Sequence, residues 1–296
     1  MKYLTGILLI SFIISNQIPF DSMKAYDYVI KQCDFGPRYP GSIGHKECKN
    51  FLFDELSKYS NETMIDNHRI VDPLTLDSVD IYNVFSRINP EKKERVVLIA
   101  HWDTRQFADK DLDSKNHTKP VLGANDGASG VAVLLTLVQQ LNLRNMGLDI
   151  LLADAEDMGN YGNPESWAIG SKLFSEKYPS PLPQFGICVD MVADKDLKIK
   201  IEKYSYQMAP QLIQYLWSMA SSKGYDNFLF EIGPGIIDDH LSFSTATGIA
   251  SINLIDFDYD YWHTVYDIPE NISKNSLDVV GSVLLDFLIE MDKSYE

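Results

Sequence analysis

Hydrophobic and polar positions along the chain fall into blocks with two different periods. From about residue 21 to residue 59 apolar residues recur at helical spacing, interrupted by the turn-rich string Phe35-Gly-Pro-Arg-Tyr-Pro-Gly-Ser42. Farther on, short continuous apolar runs predict buried strands at 95–100, 148–153, 185–189 and 249–254. Helical patterns between and after them predict helices over 131–141, opened by Gly127-Ala-Ser-Gly130, and over 166–178, 210–223 and 277–291. Unbroken apolar strands that alternate with helices imply a sheet covered on both faces. The expected fold is therefore α/β, a three-layer α/β/α sandwich around a central mixed, mostly parallel sheet. No linker, repeat or low-complexity stretch divides residues 21–296, which read as one domain.

The first residues follow a different pattern. Met1-Lys2-Tyr3 is succeeded by an almost unbroken apolar run over 4–14 and then by Ser15-Asn16-Gln17. One positive charge before such a run has the form of a secretory signal, shorter than the roughly twenty residues that anchor a protein in a bilayer. Residues 1–17 are expected to be a signal peptide without a clear cleavage site, and the rest to be exported, with no stable membrane span after processing. Composition adds an exclusion. There are 42 Asp and Glu against 26 Lys and Arg, a net charge of −16, so the protein has no basic footprint for nucleic acid or an anionic membrane. The 3 cysteines form no CxxC zinc motif. Cys33 and Cys48 are able to pair in an oxidising compartment, whereas Cys188 sits in an apolar run and reads as a core thiol. Asn61, Asn116 and Asn271 head glycosylation sequons that matter only in a eukaryotic secretory pathway.

Candidate chemistry lies just past the predicted strands. His101-Trp-Asp103 follows the first, Glu156-Asp157 the second and Asp190 the third, while Trp262-His263-Thr264 comes a few residues after the fourth. In α/β sheets ligands bind outside the carboxyl ends of strands, so groups distant in sequence converge there. Asp126, in the loop Gly123-Ala-Asn-Asp-Gly127, and Asp238-Asp239-His240, after Gly233-Pro-Gly235, join the set. Histidine and carboxylates at an open site suit zinc. In an adjacent acid pair one carboxylate is able to bind the metal while its neighbour moves protons.

These strings resemble the zinc-dependent M28-type aminopeptidase superfamily and, within it, the glutaminyl-peptide cyclotransferases. The resemblance runs from about Gly36 to the final helix. It implies that Asp126, Asp157 and His263 bind zinc and that Glu156 is the proton shuttle. Two-zinc aminopeptidases use two more ligands, and His101 and Asp190 occupy the matching positions; cyclotransferases keep similar residues yet bind one zinc. Three features lean towards the cyclases: Trp262 before His263, the double acid Asp238-Asp239, and the long segment from Met158 to Ile169 before Gly170-Ser171. Glu156-Asp157 stands where animal cyclases have two glutamates, and Gly162 falls at the insertion's pocket tryptophan, a place that Trp167 is able to take.

The resemblance implies conversion of N-terminal glutamine of peptides to pyroglutamate with loss of ammonia, one zinc per chain, and a proton network of Glu156, Asp190 and Asp238. Trp262, Trp167, Asp239 and His240 are the expected substrate contacts. The competing expectation is a two-zinc aminopeptidase in which Glu156 deprotonates a metal-bound water. A non-catalytic ectodomain on the same fold would lack part of the metal set, and none of it is missing here.

Overall fold

The alternation of side chains along the central strands divides the core into two layers. The computed structural model describes residues 18–296; the expected signal segment, residues 1–17, lies outside the described residues. In sequence order the elements begin α1 (Ser22–Asp34), α2 (Ile43–Ser57), β1 (Glu62–Val71), β2 (Ser78–Ile88), β3 (Arg95–His101), α3 (Ala128–Gln140), β4 (Gly147–Ala153) and α4 (Ile169–Ser175). They continue with β5 (Gly186–Asp190), β6 (Ile199–Ile201), α5 (Lys203–Met208), α6 (Pro210–Ser222), β7 (Phe228–Ile232), α7 (Asp239–Thr247), β8 (Ser251–Ile255) and α8 (Lys274–Ser294). Val96, Leu98 and Ala100 of β3 pack into one apolar cluster, and Val97 and Ile99 into another. That is the period-two signature of a sheet buried on both faces. Helices α1, α3 and α8 pack together on the first side, and α4 with α7 on the second.

The main sheet has six strands in the order β1-β2-β4-β3-β5-β8. The run β4-β3-β5-β8 is parallel, while β1 and β2 are antiparallel to each other and β2 to β4. The expected mixed, three-layer α/β/α architecture is observed. All four predicted strands are present, and every residue of β3, β4, β5 and β8 is buried.

Three features depart from expectation. The β1–β2 pair went unpredicted because β1 is a half-exposed edge strand with interspersed polar residues, not an apolar run. The short parallel pair β6–β7 was likewise unexpected: β6 spans only Ile199–Ile201, and β7, though rich in apolar residues, is five residues long and mostly exposed. The helix predicted over 166–178 is regular only from Ile169 to Ser175, because Ala168 adopts a left-handed conformation (φ 50°) after a 3-10 turn at Pro164–Ser166. Cys33, Cys48 and Cys188 are all unbridged, and burial pushes the Cys33 and Cys48 thiols up to about 12. Among the described residues no helix is long and apolar enough to cross a membrane. Because β4, β3, β5 and β8 run in one direction, the loops after them gather at one edge of the sheet.

Candidate active site

Several of the loops that bear candidate ligands are held by buried residues that accept or donate more than one backbone hydrogen bond. Asp103, two residues beyond β3, accepts the N–H groups of both Glu156 and Asp157 at 3.1 Å. The two backbones therefore face Asp103, and the acid side chains turn into the cavity. Asp267 does the same for the other loop, accepting from the N–H of Asn125 at 2.8 Å and of Asp126 at 3.1 Å, and from the Tyr259 hydroxyl at 2.9 Å. Arg38, fully buried, donates to the carbonyls of Trp102, Leu122 and Gly123. Upstream of the acid pair, Asp154 accepts from Tyr82 N–H and binds His45 Nε2 at 2.7 Å, which ties α2 to the end of β4. Gly127 is required by close approach: a Cβ there would lie 2.4 Å from the His101 carbonyl and 2.6 Å from its ring. Backbone strain gathers at the same edge, with positive φ at Ala155 (57°), Met191 (46°) and His263 (55°).

The fold brings the expected ligands together. His263 Nε2 lies 2.8 Å from Asp157 Oδ1 and 3.5 Å from Asp126 Oδ2. His101 Nε2 lies 3.0 Å from Asp126 Oδ1 and 3.1 Å from Asp190 Oδ1. His101, Asp126 and Asp157 present ligand atoms within 4.8 Å of one another, and the contacts of His263 with Asp126 and Asp157 and of His101 with Asp190 join the three-ligand set and its second-metal extension to that group. The Oδ2 atoms of Asp126 and Asp157 are buried without a hydrogen-bond partner. Unsatisfied carboxylate oxygens beside an imidazole nitrogen fit a divalent cation of the zinc type.

The electrostatics show the same concentration of negative charge. Burial, and then the Asp157 charge, raises Glu156 well above the usual carboxylate range. Burial and Asp157 also raise Asp126, to about 7, and burial with Asp238 raises Asp190 to about 6 against the opposing pull of His101. Asp157 goes the other way: burial is overcome by the charge and hydrogen bond of His263, which hold it at about 2. His101 is raised well above its ordinary value, because the carboxylates of Asp190, Asp103 and Asp126 outweigh burial.

A cavity of about 310 Å³ opens onto this cluster. Asp126, Glu156, Asp157, Asp190 and Asp238 form its polar side, and Trp167, Trp262, Tyr161, Ile236 and Phe257 its apolar side. Asp238 caps α7 and accepts from Asn253 Nδ2, while Cys188 Sγ donates to it at 3.8 Å. Trp262 packs on Phe257 at 4.9 Å and on His263 at 4.1 Å between ring centroids. Trp167 stacks parallel to the His263 ring at 6.2 Å and rests on Gly159, where a Cβ would collide with the indole.

Two expected substrate contacts do not reach the cavity. Asp239 is buried behind Asp238 on the first turn of α7, and burial followed by the Asp238 charge raises it well above the usual range. His240 follows it around the helix and points to Glu202, at 3.2 Å. Sequence reasoning also passed over Tyr161 and Arg105. The Tyr161 hydroxyl is 2.8 Å from His263 Nδ1. Arg105, fully buried, donates to the carbonyls of Asp157 and Gly159 and to Asp109. Their only signal was position, an aromatic inside the long segment and an arginine four residues after His101.

Comparison with known proteins decides the family. The family model for Peptidase family M28 matches residues 83–288, more than half of the sequence. The chain belongs to peptidase family M28. The glutaminyl-peptide cyclotransferase of Bos taurus is 22% identical over 289 residues, covering 86% of this chain and 78% of that one. The structure of Bacteroides thetaiotaomicron glutaminyl cyclase superposes with a TM-score of 0.87 at 36% identity, covering 92% of this chain and 98% of that one. A structure of a leucine aminopeptidase precursor from Bacteroides thetaiotaomicron has a TM-score of 0.85 and 36% identity, covering 92% and 97% of the two proteins. The M28 resemblance read from the motifs thus holds over residues 83–288.

Proposed function

We infer that this protein is a zinc-dependent glutaminyl-peptide cyclotransferase that converts N-terminal glutamine of peptides or proteins to pyroglutamate with release of ammonia. The observation that carries the reading is the shared cavity: Glu156, Asp126, Asp157 and Asp190 line it together with Trp262 and, from the long segment after the acid pair, Trp167. Asp126, Asp157 and His263 would hold one zinc ion, while His101 pairs with Asp190. When bound, zinc supplies a Lewis acid for the γ-carboxamide oxygen of the substrate.

The protein's own groups do the rest. Glu156 accepts a proton from the substrate α-amine as that nitrogen bonds to the γ-carboxamide carbon, then returns it to the departing nitrogen, which leaves as ammonia when the carboxamide C–N bond breaks. Asp190 and Asp238 border Glu156 in the cavity and complete its proton network. Trp262 and Trp167 hold the aliphatic part of the glutamine and exclude water, so that the internal amine has no competitor. Residues 1–17 act as the export signal, and residues 21–296 form the single catalytic domain of a periplasmic or secreted enzyme.

The reading is tested by a paired assay with N-terminal glutaminyl and leucyl peptides, following ammonia and free amino acid. Ammonia from the glutaminyl peptide is expected; release of leucine without ammonia would establish the aminopeptidase instead. Glu156→Gln is expected to lower turnover by about 10²–10⁴-fold while one zinc per protein molecule stays bound by elemental analysis. Loss of metal from that variant would refute the division of labour within the acid pair.

A further inference from the structure

His263 presents Nε2 to Asp157 and Asp126, so its other ring nitrogen must be satisfied from outside the acid cluster. The Tyr161 hydroxyl lies 2.8 Å from Nδ1. Asp109 Oδ1 stands 3.7 Å from the same nitrogen, too far for a hydrogen bond, and its carboxylate is engaged by Arg105 at 2.7 Å. Tyr161 is also caged. Its ring lies 5.3 Å from that of Trp167 and 6.4 Å from that of Trp262. The Arg105 guanidinium and the Lys110 ammonium sit 5.3 Å and 4.0 Å from its centroid. Arg105 fixes the segment itself through the carbonyls of Asp157 and Gly159. A half-exposed side chain is thereby aimed, with its hydroxyl inward, at a nitrogen of a candidate metal ligand.

We propose that Tyr161 is a positioning residue: its hydroxyl accepts the Nδ1 proton of His263 and so fixes the tautomer that turns the Nε2 lone pair towards Asp126 and Asp157, while its ring forms part of the substrate wall. The proposal rests on His263 being a zinc ligand. Imidazole ligands usually give their second N–H to a carboxylate, a backbone carbonyl or water. A phenol oxygen is a weaker acceptor than a carboxylate, so Tyr161 orients the ring without drawing its proton away. It also makes the inserted segment serve two ends: one side chain holds a metal ligand and touches the space the substrate occupies.

The test compares purified wild type, Tyr161→Phe, Tyr161→Leu and His263→Ala by zinc competition against a chromogenic chelator. The visible spectrum of the cobalt(II)-substituted proteins is the second readout, since it reports ligand geometry whether or not the enzyme turns over. Tyr161→Phe removes one partly exposed oxygen atom and keeps the ring, and its circular dichroism checks the fold. We expect zinc binding about 10–100-fold weaker in Tyr161→Phe, with an altered cobalt spectrum. Tyr161→Leu should show that loss together with a KM for glutaminyl peptide several-fold above that of Tyr161→Phe. Weaker binding in His263→Ala but wild-type affinity and spectrum in Tyr161→Phe would overturn the Tyr161 proposal alone. Wild-type affinity in His263→Ala would overturn the ligand assignment, and this proposal with it.

Discussion

Replacing Glu202 by glutamine perturbs the wall of the cavity without touching the metal cluster. Glu202 is the N-cap of α5 and is 2% exposed. Its Oε1 accepts from the N–H of Tyr204 at 2.9 Å and of Ile236 at 3.0 Å. Its Oε2 accepts from the N–H and the hydroxyl of Ser205, both at 2.6 Å, and faces His240 Nε2 at 3.2 Å. Burial by itself would raise this carboxyl, but His240 and the surrounding donors bring it down from 4.5 to about 2. At about 1.4 kcal/mol per pKa unit, that shift corresponds to about 3 kcal/mol of stability, in line with the roughly 3–5 kcal/mol lost when a buried pair is broken. The folded-state value is depressed, so the contribution is complete above the unfolded-state value near 4.5 and is lost as pH falls through about 2. Glutamine leaves one acceptor oxygen and sets an amide against N–H donors. Urea unfolding at pH 7 should show Glu202→Gln less stable by about 3 kcal/mol, with Tm lower by roughly 6–12 °C, and the gap should narrow below pH 4.5. Because Ile236 lines the cavity, KM for a glutaminyl peptide should rise as well. A deficit under about 1 kcal/mol, or one that stays constant from pH 7 to pH 3, would refute the reasoning.

Trp262→Ala removes the indole between Phe257 and His263; losing an aromatic wall contact of roughly 1–2 kcal/mol should raise KM for glutaminyl peptides about 5–30-fold in the zinc-saturated enzyme. A loss confined to kcat would show that the ring does not hold substrate. Asp267→Ala strands the N–H groups of Asn125 and Asp126 and the Tyr259 hydroxyl. It should lower stability by roughly 2–4 kcal/mol and weaken zinc binding in chelator competition. Reduced stability with wild-type zinc affinity would mean that Asp267 does not position the ligand loop.

Much of the architecture was legible along the sequence. Runs such as 95–100 and 148–153 became strands buried at every position, and the final amphipathic pattern became α8. Most of the candidate ligands were legible as well, because they stand past a strand that the pattern located, whereas Asp126 was marked by its glycine-flanked loop ahead of α3. The edge strand β1 was not, since a strand with one face to solvent and polar residues interspersed has no continuous apolar run to mark it.

Periodicity and motif spacing belong to contiguous residues, and from them come the layers, the strand ends and the acid pair. Which groups meet is a different matter. Asp190 reaches His101 only because β5 pairs with β3, and Asp157 reaches His263 across 106 positions because both follow strands of one parallel run. Side-chain direction in the loops is set by backbone angles with no local signature, as at His263 with φ 55°. One step along α7 separates Asp238, which lines the cavity, from Asp239 and His240, which do not. Asp103 and Asp267, two acids among many, are clamps only because the fold buries them against the N–H groups of the two ligand loops. Local pattern specifies the elements and the groups at their ends; long-range strand pairing and loop dihedrals specify which of those groups share one site.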